Sequence, residues 1–194
     1  MKNLPIFTDI YKLSQKVFTL TELSLKYPSI KYVNLKKRIN NLVKTGKLAN
    51  PTRGIYVKDE YNLAELACKI YTPSYVSLET VLAKSGIIFQ KYNSIFVISH
   101  VNRGLLVGTS KIIYKRLRSE ILVNNLGIVK NGEYFEATAE RAFTDAVYLY
   151  RDYHFDNLSN INWDLVFELT KIYKNKTMVK RISSYYKLYK NEHV

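Results

Sequence analysis

Residues 29–46 read SIKYVNLKKRINNLVKTG, and this stretch decides how the first third of the chain folds. At about 100° per residue, five of its apolar side chains fall within one arc of about 100°, as in a helix that packs one face against a core. Gly46 follows the last apolar residue and is predicted to end the helix in the left-handed conformation. The predicted inward face consists of Tyr32, Leu35, Ile39, Leu42 and Val43.

The opposite face of this predicted helix is basic. From Tyr27 to Lys58 the chain contains neither Asp nor Glu. A solvated helix usually mixes both charges, because opposite charges four residues apart stabilise it. Lysine, arginine and asparagine are instead the side chains that meet phosphates and the edges of guanine and adenine. We therefore predict DNA binding by Lys31, Asn34, Lys36, Lys37, Arg38, Asn41 and Lys44.

A shorter helix is predicted immediately before the basic one. Thr19 and Glu22 have the spacing of a capping box, which would start a helix that runs to about Tyr27. Pro28 then breaks this helix, and Ser29 is expected to cap the next one. Two helices joined by a tight turn, the second one basic, are typical of a helix-turn-helix. The inward side chains of the shorter helix are predicted to be Leu20, Leu23 and Leu25.

A β-hairpin is predicted directly after Gly46. Two short apolar segments, residues 48–49 and 55–57, flank the turn residues 50–54. A hairpin in this position is the wing of a winged helix, and Arg53 at its tip would reach the DNA backbone or minor groove. With a first helix predicted over residues 4–16, residues 1–58 are predicted to form a winged helix-turn-helix DNA-binding domain. A surface helix and hairpin without a ligand, or a protein-binding module, are the alternatives.

The positive charge is concentrated in the same third of the chain. The 194 residues carry a formal net charge of +14 at pH 7. Residues 1–58 hold 12 Lys and Arg against Asp9 and Glu22, a net +10, whereas residues 59–194 hold 18 against 14 acidic residues, a net +4. A uniform excess would indicate general solubility. A local excess is instead the electrostatic footprint of a nucleic-acid-binding region.

A second domain is predicted over residues 61–194. Asp59 and Glu60 are the first acidic residues since Glu22, and we place the boundary there. Strands are predicted at residues 75–76, 95–98, 104–107, 112–117, 125–129 and 134–136, and helices at 63–71, 77–85, 138–150, 162–173 and 177–190. Ser77 and Thr138 are expected to cap their helices. The chain is therefore predicted to be α+β, with a mixed α/β second domain that ends in helices.

The last predicted helix is also basic. Lys180, Arg181, Lys187 and Lys190 lie along it. A solvated face explains such charges, and a second nucleic-acid or partner surface, which could support cooperative binding, is the other interpretation.

No motif in the sequence indicates catalysis. The seven glycines do not have phosphate-loop spacing, and the three histidines share no metal-ligand spacing with the single cysteine, Cys68, for which we predict a buried thiol. Arg141 is flanked in sequence by the carboxylates of Glu140 and Asp145 and is interpreted as part of an internal ion pair. We therefore expect no enzymatic activity, no catalytic residue, no cofactor and no metal. The absence of a signal peptide and of an apolar run of about 18 residues predicts a cytoplasmic protein without a membrane partner.

Three features together resemble the AbiEi antitoxin and transcriptional-regulator family. The predicted winged helix is followed by PSYVSLE at residues 73–79, which leads to Ser85 and Gly86, and then by ATAERAFTD at residues 137–145. The family pattern has Y-[IV]-S before a helix and later P-E-R-A-L-x-D. Here Ala139 replaces the proline and Phe143 the leucine. Proline at a helix start only preorganises it, so this departure leaves the expected fold unchanged.

The resemblance implies the antitoxin of a bicistronic, type IV toxin–antitoxin system of the abortive-infection, phage-defence kind. In such proteins the winged helix binds inverted repeats in the operon's own promoter and represses transcription. The second domain supplies the antitoxin activity against a nucleotidyltransferase-like toxin. For this chain, whose copies repel each other, we expect a monomer in solution that binds the repeats cooperatively. A non-enzymatic winged-helix module that contacts a protein or RNA is the alternative.

Overall fold

A computed structural model describes residues 6–192 as a mixed α+β fold with two β-sheets, in agreement with the α+β part of the predicted fold class. The predicted beginning of the first helix, Leu4, lies outside the described residues. The first part of the chain contains helix α1 (Ile6–Lys12), strand β1 (Val17–Thr19), helix α2 (Leu20–Lys26), helix α3 (Tyr32–Lys44), strand β2 (Ala49–Thr52) and strand β3 (Ile55–Val57).

The smaller sheet has the strand order β1-β3-β2 and is antiparallel throughout. The sequence did not predict β1, because three residues are too few to show a strand period and their partners come much later in the chain. The first helix consequently ends at Lys12, short of the predicted residue 16. The turn between β2 and β3 contains fewer residues than predicted, because β2 extends to Thr52. Gly54 in this turn has φ +81°. The side-chain amide of Asn50 donates to the carbonyl oxygens of Thr52 and Ile55.

Local signals around α2 and α3 are confirmed. The hydroxyl of Thr19 accepts the amide N–H of Glu22 at 3.1 Å, and the Glu22 carboxylate accepts the amide N–H of Thr19 at 2.9 Å, which completes the capping box. Gly46 has φ +69° after the end of α3. Residues Leu20, Leu23, Leu35, Ile39 and Leu42 are buried as predicted.

Three predictions in this region are wrong. Tyr32 is 52% exposed and Leu25 is 77% exposed, so neither belongs to the core. Ser29 does not cap α3, because the helix begins only at Tyr32 and Lys31 occupies the cap position without a side-chain hydrogen bond. Residues 28–31 lie in the turn between α2 and α3, so the helical face begins later than the sequence pattern suggested.

Two apolar clusters fill the fold, and the small sheet lies between them. The first cluster holds α1, α2 and α3 together through Ile6, Ile10, Phe18, Leu20, Leu23, Leu35, Ile39, Leu42, Leu48 and Tyr56. Val17, Ile55 and Val57, on the same sheet, belong instead to the larger cluster that the rest of the chain forms. The strands β1 and β3 therefore contribute to both cores.

The second part of the chain surrounds a six-stranded mixed sheet with the order β6-β7-β5-β4-β9-β8, in which β4 pairs with β9 and β5 with β7 in parallel. Its elements are α4 (Leu63–Ile70), β4 (Tyr75–Val76), α5 (Glu79–Lys84), β5 (Ser94–Ser99), β6 (Arg103–Val107), β7 (Ser110–Arg116), α6 (Ser119–Leu122), β8 (Ile128–Asn131), β9 (Tyr134–Ala137), α7 (Ala139–Leu149), α8 (Trp163–Tyr173) and α9 (Lys176–Glu192). No helix within residues 6–192 has the length and apolarity needed to cross a membrane.

Of the two helix caps predicted in this part of the chain, one is confirmed and the other is wrong. Thr138 caps α7 by accepting the amide N–H of Arg141 at 3.3 Å, as predicted. Ser77 does not cap α5, because its hydroxyl donates to the carboxylate of Asp145 at 2.8 Å. Leu78, with φ +54°, takes the cap position in its place.

Helix α4 joins the two parts. The carboxylate of Glu65, which is only 4% exposed, accepts the amide N–H groups of Lys16 and Val17, each at 2.9 Å. One turn further, the ammonium of Lys69 lies 2.6 Å from the Glu22 carboxylate. Lys58, at the predicted domain boundary, is itself buried, and its ammonium donates to the carbonyl oxygens of Tyr11 and Leu13. The two parts are thus docked by specific polar contacts.

Candidate nucleic-acid interface

The outward face of α3 presents every predicted DNA-binding side chain of that helix to solvent. Within residues 6–192, none of these side chains makes a hydrogen bond or an ion pair inside the protein. Exposed cationic and amide groups without internal partners are available to an external anion. The residues are Lys31, Asn34, Lys36, Lys37, Arg38, Asn41 and Lys44.

Apolar packing and two polar contacts hold α3 in place beneath this face. Leu35 and Ile39 are fully buried in the smaller cluster. The hydroxyl of Tyr56 on β3 contacts the Asn40 side-chain oxygen at 3.5 Å, and the hydroxyl of Thr45 donates to the Asn41 carbonyl at 2.9 Å at the helix end. The outward side chains therefore extend from an element that the core positions.

Arg53 lies on a different element, in the exposed turn between β2 and β3. Its side chain has no partner within the described residues. Because Asn50 bridges the two strands at the base of this turn, the turn is braced although its tip is exposed.

Few negative charges oppose the positive charge of this region. Asp9 and Glu22 are the acidic side chains within residues 6–58. Burial alone would raise the pKa of Glu22, but the hydrogen bonds from Lys69 and Thr19 hold it below its ordinary value. Glu22 is therefore ionised at neutral pH, and its charge is used within the fold. The outward face of α3 keeps an uncompensated positive charge.

The basic residues of α9 divide into two groups. Lys180, Lys187 and Lys190 are exposed, and the Lys190 ammonium lies 4.9 Å from the ring centre of Tyr186. Arg181 is half-buried, and one guanidinium nitrogen donates to the carbonyl oxygens of Tyr150 and Arg151 at 2.5 and 3.1 Å. The three lysines form an exposed strip, whereas Arg181 attaches α9 to the end of α7.

A buried polar cluster lies at the other candidate position, around Arg141 and Asp145. Both side chains are inaccessible to solvent, and the guanidinium lies 3.4 Å from the carboxylate, one helical turn away. Asp145 accepts hydrogen bonds from the hydroxyls of Tyr75, Ser77 and Tyr173 at 2.6–3.2 Å. The predicted internal ion pair is confirmed. The neighbouring Glu140 is not part of it and accepts the amide N–H of Asn162 at 3.2 Å.

The surroundings of this pair identify a structural role. The Arg141 guanidinium also donates to the carbonyl oxygens of Ile121 and Leu126 at 2.8 Å, so it joins α7 to the segment around α6. Burial raises the pKa of Asp145, while Arg141 and the three hydroxyl donors act in the opposite direction. Burial and the Asp145 charge raise the pKa of Tyr75 and Tyr173, which keeps both as donors. A cluster closed to solvent gives a substrate no access.

Two further possibilities for chemistry receive no support. Burial raises the pKa of Cys68 to about 11, so this half-buried thiol stays protonated and weakly reactive at neutral pH. Among residues 6–192, no group of three or more His, Cys, Asp and Glu side chains could hold a metal ion.

Sequence reasoning missed one exposed residue on the outward face of α3. Val33 is 63% exposed and lies one turn before Lys37 on the same side of the helix. Its position on the helical wheel would have revealed it, because Val33 falls outside the apolar arc. A prediction of DNA-binding residues from charged and amide side chains alone does not include this valine.

Comparison with known proteins leaves the chain without an assigned family. No family model matches it, and no curated protein matches it.

Proposed function

We propose that this protein is a DNA-binding transcriptional repressor that holds double-stranded promoter DNA against α3. The observation that carries the proposal is the outward face of α3, where lysine, arginine and asparagine side chains are exposed and without internal partners. The order of helix, strand, two helices and hairpin also suits a winged helix-turn-helix, with α3 as recognition helix and β2–β3 as wing.

The residues divide between base readout and backbone contact. A recognition helix usually presents its amino-terminal residues to the bases, so Asn34, Lys37 and Arg38 approach base edges. Lys44 and Arg53 lie further along the chain and contact the backbone or the minor groove. The flanking Lys31, Lys36 and Asn41 contact phosphates, which fix the position of the helix without reading sequence.

We further propose that the repressor is the antitoxin of a bicistronic toxin–antitoxin system. The support is the resemblance of residues 73–79 and 137–145 to the AbiEi family. On this proposal the protein is cytoplasmic and not an enzyme, it represses its own promoter at inverted repeats, and the second part neutralises a nucleotidyltransferase-like toxin. Co-expression with a nucleotidyltransferase encoded beside it tests this: growth should be rescued by the full chain. Lack of rescue at normal protein abundance would remove the antitoxin role.

Salt dependence of DNA binding is the direct test of the α3 interface. The full chain is titrated with duplex DNA between about 50 and 200 mM salt. The four cationic side chains assigned to the backbone, Lys31, Lys36, Lys44 and Arg53, predict a log–log slope of about −4 if all neutralise phosphates. Replacement of Lys31, Lys36 and Lys44 by alanine should reduce the slope by about 3.

The matched control replaces three exposed lysines of the second part, Lys91, Lys111 and Lys130, with alanine. It removes the same charge and should leave the slope nearly unchanged. Equal effects of both triple variants would mean that binding follows net charge rather than α3, and the proposal would fail.

One observation favours the alternative of a protein-binding module. Leu25 and Tyr32 are exposed apolar side chains beside the turn between α2 and α3. Such residues suit a protein partner, whose binding would depend weakly on salt. Duplex RNA suits α3 poorly, because the major groove of A-form RNA is too narrow for side chains to read. A chain that fails to bind DNA at low salt would favour the protein partner.

A further inference from the structure

We infer that Val33 reads the methyl group of a thymine, so that the ligand of α3 is specifically thymine-bearing B-form DNA. This inference rests on the proposed function, in which α3 enters the major groove. It adds an apolar, base-reading contact to the polar ones, and it separates DNA from RNA as the partner.

The position of Val33 carries the inference. Val33 is the second residue of α3 and is 63% exposed. At about 100° per residue it lies roughly 150° from the centre of the buried face formed by Leu35, Ile39 and Leu42. It therefore stands in the middle of the outward face, in the first turn, where a recognition helix meets the bases.

The fold itself gives no reason for a valine at this position. Val33 belongs to neither apolar cluster. A β-branched residue also has lower helix propensity than alanine, lysine or glutamate, so local helix stability does not favour it. Single exposed apolar residues are common, and exposure alone would mean little. The chemistry of its neighbours is what distinguishes Val33.

Those neighbours are base-reading side chains. Asn34 follows it directly, and Lys37 lies one turn further on the same side. An asparagine amide pairs with adenine, and a lysine ammonium pairs with guanine. A further feature of the major groove is the C5-methyl group of thymine, which is contacted by apolar side chains. The outward face thus offers a contact for each of these three features.

Valine suits such a contact because its side chain is stiff. In a helix the two methyl groups are held in one strongly preferred rotamer, so little conformational freedom is lost on binding. Uracil lacks the methyl group that valine would contact. The inference therefore predicts that DNA with uracil in place of one critical thymine binds more weakly, although its base pairing and phosphate charges are unchanged.

The test uses the full chain and a duplex that it selects from random sequences. Each thymine is replaced in turn by deoxyuridine, and affinity is measured at fixed salt. At one or two positions per half-site the affinity should fall about fourfold, the loss expected when one methyl group is no longer buried. The variant Val33→Ala, which keeps only one methyl carbon on this side chain, should lose less affinity with deoxyuridine than the natural chain does. Alanine is a better helix former at this exposed position, so the variant should fold.

Leu25→Ala is the matched control, because Leu25 is also exposed and apolar but lies on α2, outside the recognition helix. It should keep the sensitivity to deoxyuridine. Insensitivity of the natural chain at every thymine, or a loss that is undiminished in Val33→Ala, overturns the inference while DNA binding stands. If no duplex is selected and none binds in a salt-dependent way, the proposed function fails and the inference with it.

Discussion

The buried ion pair of Arg141 and Asp145 connects several separate parts of the fold. Both side chains are removed from water. Asp145 accepts hydrogen bonds from Ser77 and Tyr173, and Arg141 donates to the Ile121 carbonyl. Loss of one partner from such a pair leaves an uncompensated charge in the interior. Arg141→Met should therefore lower the free energy of unfolding by about 3–5 kcal/mol, measured by urea denaturation.

The double variant of the same pair separates charge from packing. Arg141→Met combined with Asp145→Leu removes both charges, so it should be more stable than Arg141→Met alone. Glu140→Gln serves as a neighbouring control, because Glu140 accepts one hydrogen bond outside the pair, and should cost about 1 kcal/mol or less. A double variant no more stable than the single one would show that the pair acts through shape rather than charge.

Glu79 predicts a dependence of stability on pH. Its side chain is 6% exposed, and within the described residues one carboxylate oxygen has no hydrogen-bond partner. Burial raises the pKa of Glu79 above its ordinary value of 4.5, and Tyr150 and Lys115 only partly oppose this. The ionised form therefore opposes folding at neutral pH. The opposition is relieved as the pH falls through the folded-state pKa and is absent below the unfolded-state value.

Glu79→Gln should consequently raise the free energy of unfolding at pH 7 by on the order of 1 kcal/mol. Near pH 4, where the natural side chain is protonated in both states, the two proteins should be equally stable. Urea denaturation at pH 4, 5.5 and 7 measures the difference. An advantage of the variant that is the same at all three pH values would exclude charge as its cause.

At the scale of elements, β1 and β3 connect the first part of the chain, which carries the proposed DNA interface, to the rest. Val17, Ile55 and Val57 are buried in the larger cluster, and Glu65 on α4 accepts two backbone N–H groups of residues 16–17. A fragment cut after Lys58 would expose all of these groups to water. We expect residues 1–58 alone to lack fixed tertiary structure, visible as poor amide dispersion in a nitrogen–proton NMR spectrum.

The full chain is the reference for this experiment, and a fragment that ends after α4 should recover part of the dispersion because it restores Glu65. A well-dispersed spectrum and cooperative thermal unfolding of residues 1–58 would show that the larger core is dispensable for this part.

The sequence predicts elements well where their signals are local. The capping box of Thr19 and Glu22, the stop at Gly46 and the strand over residues 95–98 each depend on neighbours along the chain, and each is present. Ser77 and β1 could not be predicted, because their partners are Asp145 and β3, far away in sequence. Sequence propensity predicts that a hydroxyl residue before a helix will cap that helix. In the structure the Ser77 hydroxyl instead donates to the buried Asp145 carboxylate, which gives a stronger, charge-assisted hydrogen bond.

The residues of the candidate site also divide into those that local sequence signals predict and those that depend on other parts of the fold. Helical periodicity alone placed Lys37, Asn41 and Lys44 on an outward face, and the structure exposes them. The exposure of Tyr32 was not predictable from the period, because it depends on how far the turn before α3 extends. The turn occupies residues 27–31, and the period of α3 does not reveal where it ends.

At the scale of the whole molecule, the net charge of +14 predicts that two copies repel each other in free solution. On the proposed function, DNA phosphates would neutralise that repulsion. We expect a monomer by analytical ultracentrifugation and cooperative binding to a duplex with two inverted half-sites. Lys180 and Lys187 form part of the exposed strip on α9. If this strip contacts phosphates between the two half-sites, replacement of both lysines by alanine should reduce cooperativity but leave the affinity for a single half-site unchanged.

Replacement of Lys91 and Lys111 by alanine is the control for this double variant, since it removes equal charge from other exposed positions. Equal per-site affinity for one and two half-sites would contradict cooperative assembly. A tight dimer in low salt without DNA would contradict its dependence on DNA.

The carboxylate of Glu22 serves two elements at once: one oxygen closes the capping box of α2, and the other accepts the ammonium of Lys69 on α4. This shared use constrains how descendants of the sequence diverge. A lineage that loses Lys69 disturbs the start of α2, so positions 22 and 69 are expected to change together. The outward residues of α3 have no such partners and can drift independently. On the proposed function, new target sequences would thus be acquired by mutation of that face while the contacts that hold α3 to the rest of the chain are inherited intact.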